Sequence, residues 1–563
     1  MNELSVKERD LLERIRAKPE LRTLFFRKVK GLKWFDTLQA RGYFDAKEIP
    51  APVPAKEEGY VSILSWEAID YLVKTAQELT GETANNYAPR FLDIIVGATN
   101  HAKANDFGNY RVWWQFAEVL SLIPVKFVTP KHLDVIDYWL DDKYERGLVT
   151  EIIVEKWLPS LLEQADEQSL VLVLKLLDIL FVVDFTHKET AGRVRKEASL
   201  RFEYHRTEKY MGGIAYSAGR RLGEKAILVF QSKLTEVLDE LGNDTWSAIW
   251  QPAVEDHKQN KYRDDAENVL LEAYRDSISG YIDELPDKAC EYVKVLLSYP
   301  YETIVRVAIY CIGQHFQKCS SFTDELIDDK YLQSNYRHEF WHFLHRNYES
   351  FSQKQKQNVL SLIQRKVLKG DDGSEMEGAS AYERATWLAA IKDFGPVEAT
   401  RYQEAVRIAK TEPDHPDFSS YTTTGWGGQK SPYSVEELAA LSITDLIQTL
   451  KDYRGGGRWI EPGIGGLSSA LKQVFKNAPL RYYDKLKHFS DIDLAYIYSI
   501  IEAYRELWKE KVSLPWDDLW NYILKYFDAI LEQDRFWDPI NAKKREDFVA
   551  NRYWIVGSIG RFL

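Results

Sequence analysis

Cysteine is scarce in this chain, with three in 563 residues. Cys290, Cys311 and Cys319 also lie close together. Three residues cannot build the disulfide framework that stabilises small secreted proteins. We therefore expect a chain suited to a reducing compartment.

Long apolar runs are also missing. The longest candidate, residues 170–183, is interrupted by Lys175 and Asp178, whereas a membrane-spanning helix needs about 20 largely apolar residues. Residues 1–16 are charged throughout and lack the apolar core of a signal peptide. The sequence thus predicts a soluble, cytoplasmic protein with no membrane partner.

Methionine is rare and aromatic residues are abundant: the chain has 3 Met but 17 Trp, 33 Tyr and 25 Phe. Large, rigid rings therefore carry most of the expected burial. The formal net charge of -12 disfavours contact with nucleic acid and anionic membranes over most of the surface. A local basic groove is still compatible with this charge.

The middle third of the chain, residues 288–363, repeats one pattern of apolar-striped helix and short turn. One stripe follows the spacing i, i+3, i+4, i+7, i+8, i+11 through Ile304, Val307, Ala308, Cys311, Ile312 and His315. Such helices must bury their stripes against similar neighbours. The sequence predicts an all-α fold, an irregular HEAT-like α-solenoid of stacked helical hairpins. Strand patterns are weak throughout.

Glycine, proline and charge divide the chain into five predicted segments. Residues 1–190 form an N-terminal helical block, 191–212 a charged connector or arm, 213–411 central HEAT-like repeats, 412–466 Gly/Pro-rich loops with a short helix, and 467–563 a C-terminal helical block. A capping box, Ser434-Val-Glu-Glu437, predicts where the short helix begins. The last helix remains apolar to Leu563 without a polar cap, which predicts that the chain continues.

The sharpest chemical motif is His338-Glu339-Phe340-Trp341-His342. An HExxH sequence on a helix places two imidazoles one turn apart, where both can bind zinc, and lets the glutamate deprotonate a zinc-bound water. One hypothesis is therefore a zinc metallopeptidase with His338 and His342 as metal ligands and Glu339 as the catalytic base.

Two observations weaken this hypothesis. The metzincin continuation would need Gly at position 345 and His at position 348, where the chain has His345 and Tyr348. On a helical wheel, His338, His342, His345 and Glu349 lie opposite the face that carries Phe340 and Leu344. We expect a histidine row that points away from the packing face, with no catalytic, metal or cofactor-binding residue. Another metal or ligand site at these histidines is a further alternative.

Two other groups of residues suggest chemistry less strongly. Cys311, His315 and Cys319 are spaced i, i+4, i+8, but they continue an apolar stripe and lack a zinc knuckle, so we expect core residues. The basic and aromatic residues of 193–210 are typical of single-strand nucleic-acid binding. Because Glu197, Glu203 and Glu208 offset much of this charge, we expect a solvated face there, with nucleic-acid binding as an alternative.

Several short landmarks resemble the HEAT-like α-helical regions of large bacterial multidomain proteins of ATPase or STAND type, which are often associated with phage defence. They are Trp34-Phe35 with Gly42-Tyr43-Phe44, Pro54 with residues 66–72, Ile304-Val-Arg-Val-Ala-Ile309, His338-Glu-Phe-Trp341 and Ser431-Pro-Tyr-Ser-Val-Glu-Glu-Leu438. The resemblance implies a sensor or scaffold region, with catalysis in another domain or partner. No Walker A motif is present, so a nucleotide-binding role is not carried over.

These patterns together predict a non-enzymatic protein-binding scaffold or sensor region of a bacterial antiphage defence system. Its expected partner is a protein or peptide, or other domains of the same system. Aromatic and arginine side chains would supply the binding energy.

Overall fold

A computed structural model describes residues 4–56, 60–144, 147–190, 193–202, 204–260, 265–370, 372–421, 431–454, 462–538 and 550–563. The chain divides into two compact units, Met1–Tyr421 and Thr422–Leu563. The boundary falls within the predicted Gly/Pro-rich segment 412–466. Residues 422–430 and 455–461, which contain most of the glycines of that segment, lie outside the described residues.

Both units are mainly helical, as the sequence predicts. The first unit contains α1 (Val6–Ala17), α2 (Arg22–Lys28), α3 (Phe35–Ala40), α4 (Ile69–Ala76), α5 (Gly81–Ala104), α6 (Tyr110–Leu122), α7 (Pro130–Leu140), α8 (Leu148–Ile152), α9 (Leu158–Gln164), α10 (Glu167–Leu180), α11 (Tyr204–Leu222), α12 (Glu224–Leu241), α13 (Ser247–Trp250), α14 (Ala266–Glu284), α15 (Pro286–Leu296), α16 (Glu302–Gln314), α17 (Phe316–Cys319), α18 (Thr323–Leu326), α19 (Arg337–Asn347), α20 (Gln353–Gln364), α21 (Glu377–Leu388) and α22 (Pro396–Ala409).

The second unit contains α23 (Val435–Ala440), α24 (Ile443–Asp452), α25 (Ile464–Asn477), α26 (Pro479–Tyr482), α27 (Leu494–Lys509), α28 (Trp516–Leu531), α29 (Asp534–Trp537) and α30 (Arg552–Phe562). Helix α23 begins at the predicted capping box. The Ser434 hydroxyl accepts from the Glu437 amide, and the Glu437 carboxylate accepts from the Ser434 amide. The unit has its own core, in which α25 and α27 pack together around Leu471, Phe475 and Ile500.

Among the residues that the structure describes, two antiparallel strand pairs interrupt the helices. Strands β1 (Val53–Pro54) and β2 (Val61–Ser62) form a short pair. Strands β3 (Val183–Thr190) and β4 (Arg193–Leu200) form a longer one, with register from Val183 opposite Leu200 to Thr190 opposite Arg193. Strand content is low over the described residues, as the sequence predicts, but the sequence did not locate the hairpin β3–β4. Within the predicted connector or arm, 191–212, the structure has β4 and the beginning of α11. The charged residues of β4 show no strand pattern in the sequence, although β4 pairs with β3, from which only two residues separate it.

The predicted apolar stripe of the middle third is buried. Ile304, Val307, Ala308, Cys311 and Ile312 all lie in the core of the first unit. The stripe does not continue unbroken through His315, because α16 ends at Gln314 and a new short helix starts at Phe316. Cys319 then reaches Cys290 on α15, and the two form a disulfide. The sequence did not predict this pairing.

Helix α14 is the centre of the first unit. It packs against α11, α12, α15 and α16, and nearly every residue from Ala266 to Ile282 is buried. Neighbours in sequence are therefore also neighbours in space over much of this region. No helix among the described residues is both long enough and apolar enough to cross a membrane.

Helices α11 and α14 approach each other closely at two glycines. A Cβ atom on Gly219 would lie 1.9 Å from the Ser277 carbonyl oxygen, and one on Gly280 would lie 2.0 Å from the Tyr216 carbonyl oxygen. These are backbone atoms, which cannot rotate away as a side chain can. The two glycines therefore set the distance between the helices.

We predict that Gly280→Ala lowers the free energy of unfolding by about 1–3 kcal/mol, because the added methyl group must push two helices apart. Gly213→Ala is the matched control on α11, since a Cβ there meets no atom within 4 Å. It should leave stability unchanged or raise it by up to about 1 kcal/mol through helix propensity. Urea unfolding followed by circular dichroism measures both. Equal effects of the two substitutions would contradict the close approach.

Candidate functional site

The HExxH motif lies in the first two turns of α19, and this part of the helix is buried on almost every side. His338, Glu339, Phe340 and Trp341 are all buried, and His338 is only 5% exposed. The sequence places the histidine row opposite the main packing face of the helix, but it did not predict that His338 would be buried there by other segments. Residues 251–260 and 415–421 cover this face of the helix, and neither segment carries a periodic apolar pattern that would reveal it.

The covering segment 251–260 is anchored by two buried arginines. Arg306 on α16 donates to the carbonyl oxygens of Gln251 at 2.9 Å and Pro252 at 3.3 Å. Arg275 on α14 donates to the Val254 carbonyl at 2.8 Å. The Asn260 side chain closes the segment on itself by bonding the backbone of Ala253 and Glu255. Glu255 is thus held in a defined position beside α19.

Glu339 forms a fully buried ion pair with Arg306. The guanidinium donates to Oε2 at 2.9 Å and to Oε1 at 2.8 Å, and neither side chain is exposed to solvent. The backbone N–H of Val254 donates to Oε1 at 3.0 Å. Planar, bidentate pairing of this kind is the strong form of an arginine–carboxylate contact. The glutamate therefore joins α19, α16 and the covering segment.

This geometry bears directly on the metallopeptidase hypothesis. A general base must reach the proton that it removes, and its carboxylate needs an oxygen within hydrogen-bonding distance of the zinc-bound water. Both oxygens of Glu339 are instead bonded to Arg306 and to the Val254 amide in the core. The arrangement supports a structural role for Glu339 and gives no support to a catalytic one.

The two histidines of the motif meet acidic residues from both covering segments. Nε2 of His338 lies 3.5 Å from Oε1 of Glu255, and Nδ1 lies 3.3 Å from the backbone oxygen of Asp417. A ring nitrogen of His342, Nε2, lies 3.1 Å from Oδ2 of Asp417. One potential ligand atom each from Glu255, His338 and His342 falls within 4.8 Å of the other two. We call these three residues with Asp417 the His–acid cluster.

The carboxylates of the His–acid cluster are ionised at neutral pH. Contact with His338 lowers the pKa of Glu255 far below its ordinary value, burial opposes this, and the Arg346 guanidinium at 2.6 Å lowers it further. Burial raises the pKa of Asp417, but the hydrogen bond with His342 and the nearby imidazole charges outweigh it, so the net shift is downward. The cluster therefore places two carboxylates, two imidazoles and the Arg346 guanidinium close together in a mostly enclosed place.

The other predicted groups do not assemble a site. Cys311 is a buried free thiol whose pKa is raised to about 12 by burial, so it stays protonated at neutral pH. Cys319 is in the disulfide. His315 lies 3.4 Å from the Asp283 carboxylate. The positions of Cys311, His315 and Cys319 therefore give no support to zinc binding by these three residues.

The cations around the long hairpin contact carboxylates. Lys188 lies 3.6 Å from Glu197, Lys196 contacts Glu240, and Arg201 contacts Asp137 at 2.6 Å. Cations neutralised in this way release few counterions from a phosphate backbone, so they contribute little to nucleic-acid affinity. These described residues of the hairpin therefore give no support to the nucleic-acid alternative. The side chains of residues 203–209 lie outside the described part of the chain and do not enter this comparison.

Glu255, Asp417 and Arg306 are the residues of this site that the sequence did not reveal. Glu255 and Asp417 sit in non-helical segments far from His338 in sequence. Arg306 could have been recognised from the sequence, because it is a charged residue inside the apolar stretch from Ile304 to Ile309. An arginine buried in such a stretch requires a counter-ion.

Comparison with known proteins adds no assignment: no protein-family model matches the chain, and no curated protein matches it significantly. The geometry of the chain itself therefore has to carry any functional proposal.

We predict that Glu339→Gln lowers the free energy of unfolding by about 3–5 kcal/mol, because it leaves the Arg306 charge buried without a counter-ion. Glu349→Gln, at an exposed position just beyond α19, is the control and should change stability by less than about 0.5 kcal/mol. Thermal and urea unfolding measure both. An unchanged stability for Glu339→Gln would show that the ion pair is not a structural element.

Proposed function

We propose that this chain is a non-enzymatic protein-binding scaffold or sensor region. Near the N-terminus of this chain, it binds a segment of a partner protein that has one apolar face and carries acidic side chains. The supporting observation is an apolar groove formed by α1, α2 and the turns around them. It has a volume of about 480 Å³, within the range of ligand-binding clefts.

The floor and walls of this N-terminal groove are aliphatic and aromatic. They include Leu11, Ile15, Leu21, Leu24, Phe25 and Trp34. The side chain of Leu24 is 58% exposed to solvent, and those of Leu11 and Leu21 are also exposed. Exposed leucines grouped around one groove leave apolar surface in water, which favours covering by a partner. An amphipathic helix laid into a groove is a common form of such covering.

The charge around the groove indicates which partner suits it. Residues 1–34 contain ten Lys or Arg but five Asp or Glu, in a chain whose net charge is -12. Lys28, Lys30 and Lys33 line the groove and are exposed. A partner with carboxylates beside its apolar face would meet these ammonium groups, which favours correct docking and raises the association rate.

The wider architecture and biological setting belong to the same proposal. We propose that the helices of the first unit form an irregular HEAT-like solenoid, supported by the sequential packing of α14, α15 and α16. The resemblance of short sequence landmarks to HEAT-like regions supports a role in a bacterial antiphage defence system. In this proposal catalysis resides in another domain or partner.

A binding experiment tests the groove directly. The probe is a fluorescent helical peptide with leucines at i, i+3, i+4 and i+7 and glutamates elsewhere, compared with a scrambled peptide of identical composition. We expect the purified chain to bind the amphipathic peptide and not the scrambled one. Leu24→Asp should weaken binding at least about tenfold, since it places a charge in the apolar groove and repels the peptide's carboxylates.

Val295→Asp provides the matched control, because Val295 is an exposed valine, at 67%, on α15 of the same unit. It should leave peptide affinity unchanged. Absence of peptide binding to the unmodified chain, or equal affinity for Leu24→Asp, would reject the groove as a protein-docking site. Binding to anionic lipid vesicles in place of the peptide would instead indicate a membrane surface as the partner.

A further inference from the structure

One buried nitrogen near the His–acid cluster has no hydrogen-bond partner. Nε2 of His338 is fully buried and lacks such a partner, although the side chain as a whole is only 5% exposed. The nearest acceptor, Oε1 of Glu255 at 3.5 Å, is beyond the usual hydrogen-bonding distance of 2.7–3.2 Å. Buried polar atoms are rarely left in this state without a ligand, ion or water.

The other nitrogen of the same ring indicates which tautomer is present. Nδ1 of His338 lies 3.3 Å from the Asp417 carbonyl oxygen, which can only accept a hydrogen bond. In the neutral ring Nδ1 is therefore the protonated nitrogen and the lone pair of Nε2 faces Glu255, whereas it is the Nε2–H of the charged ring that lowers the pKa of Glu255. A histidine that donates from Nδ1 to a backbone carbonyl and offers Nε2 is the usual arrangement at a metal site.

The Glu255 carboxylate is also arranged as a single-oxygen ligand. Its Oε2 is bonded to Arg346 at 2.6 Å, while its Oε1 faces His338. Its backbone oxygen is held by Asn260 at 2.9 Å. The imidazole lone pair and the carboxylate oxygen thus face each other across a gap that an added cation would fill.

The distances suit a small, four-coordinate cation. With zinc–ligand bonds of about 2.0–2.1 Å, the ligand atoms of a tetrahedral site lie about 3.3–3.4 Å apart. The separation of 3.5 Å between Nε2 of His338 and Oε1 of Glu255 is close to this value, and Glu255, His338 and His342 each offer a ligand atom within 4.8 Å of the other two. Two imidazoles with one carboxylate form a ligand set that suits zinc, a borderline-soft ion.

We propose that Glu255, His338 and His342 bind one zinc ion, which joins the covering segment 251–260 to helix α19. Asp417, on segment 415–421, contacts Nδ1 of His338 and Nε2 of His342 and orients the two rings. The carboxylate of Glu339 remains in its ion pair with Arg306. Because Glu339 is held away from the site, the role that we propose for the ion is to stabilise the packing of segment 251–260 against α19.

The test uses the full chain after removal of metal by a chelator and dialysis. Zn²⁺ alone is titrated in competition with a chromophoric chelator, and bound metal is counted by elemental analysis. We expect one zinc per chain and a higher thermal unfolding temperature with zinc. Glu255→Gln and His342→Gln should each weaken zinc binding by about a hundredfold or more, because each removes a direct ligand.

His345→Gln is the control, since His345 lies on the same helix but its Nδ1 contacts the Ala390 carbonyl at 3.0 Å, outside the cluster. It should bind zinc as the unmodified chain does. Circular dichroism in chelator shows whether each variant is folded, and His338→Gln replaces any variant that is not. Failure of the folded, unmodified chain to bind zinc would overturn the proposal. Zinc binding that survives both Glu255→Gln and His342→Gln would overturn it as well.

Discussion

The ion pair between Arg306 and Glu339 is the interaction on which the centre of the first unit depends. Both side chains are fully buried, and the cost of removing two charges from water is offset only when every donor and acceptor is well placed. Nε and Nη2 of Arg306 bond the Glu339 carboxylate, Nη2 also bonds two carbonyl oxygens of the segment that covers α19, and the buried Nη1 has no hydrogen-bond partner. A helix–helix contact and a loop conformation are thus held by the same guanidinium group.

The position of this ion pair places the glutamate of the HExxH sequence in the core. Successive helical residues point about 100° apart, so Glu339 can enter the core while His338 and His342 face the covering segments. In this chain the glutamate meets an arginine and the histidines meet Glu255 and Asp417. The motif is shared with metallopeptidases, whereas the surroundings of its glutamate are different.

The proposed groove and the proposed zinc site use different physical principles and lie on different elements. The groove relies on exposed apolar surface with a basic rim, whereas the His–acid cluster relies on a buried imidazole nitrogen without a hydrogen-bond partner that faces a carboxylate oxygen. Either proposal can fail without affecting the other. Taken together, the two proposals give the first unit a metal-linked segment beside α19 and a docking surface at its N-terminal helices.

The sequence by itself determined the helical class, the burial of the stripe from Ile304 to Ile312 and the capping box at Ser434, because each depends on residues within a few turns of one another. Only the tertiary structure decided the hairpin β3–β4, the disulfide between Cys290 and Cys319, and the partners of the HExxH residues. Glu255 and Asp417 reach His338 from 83 positions before it and 79 after it. Contacts over such separations leave no periodic pattern, since they depend on how the helices and loops pack.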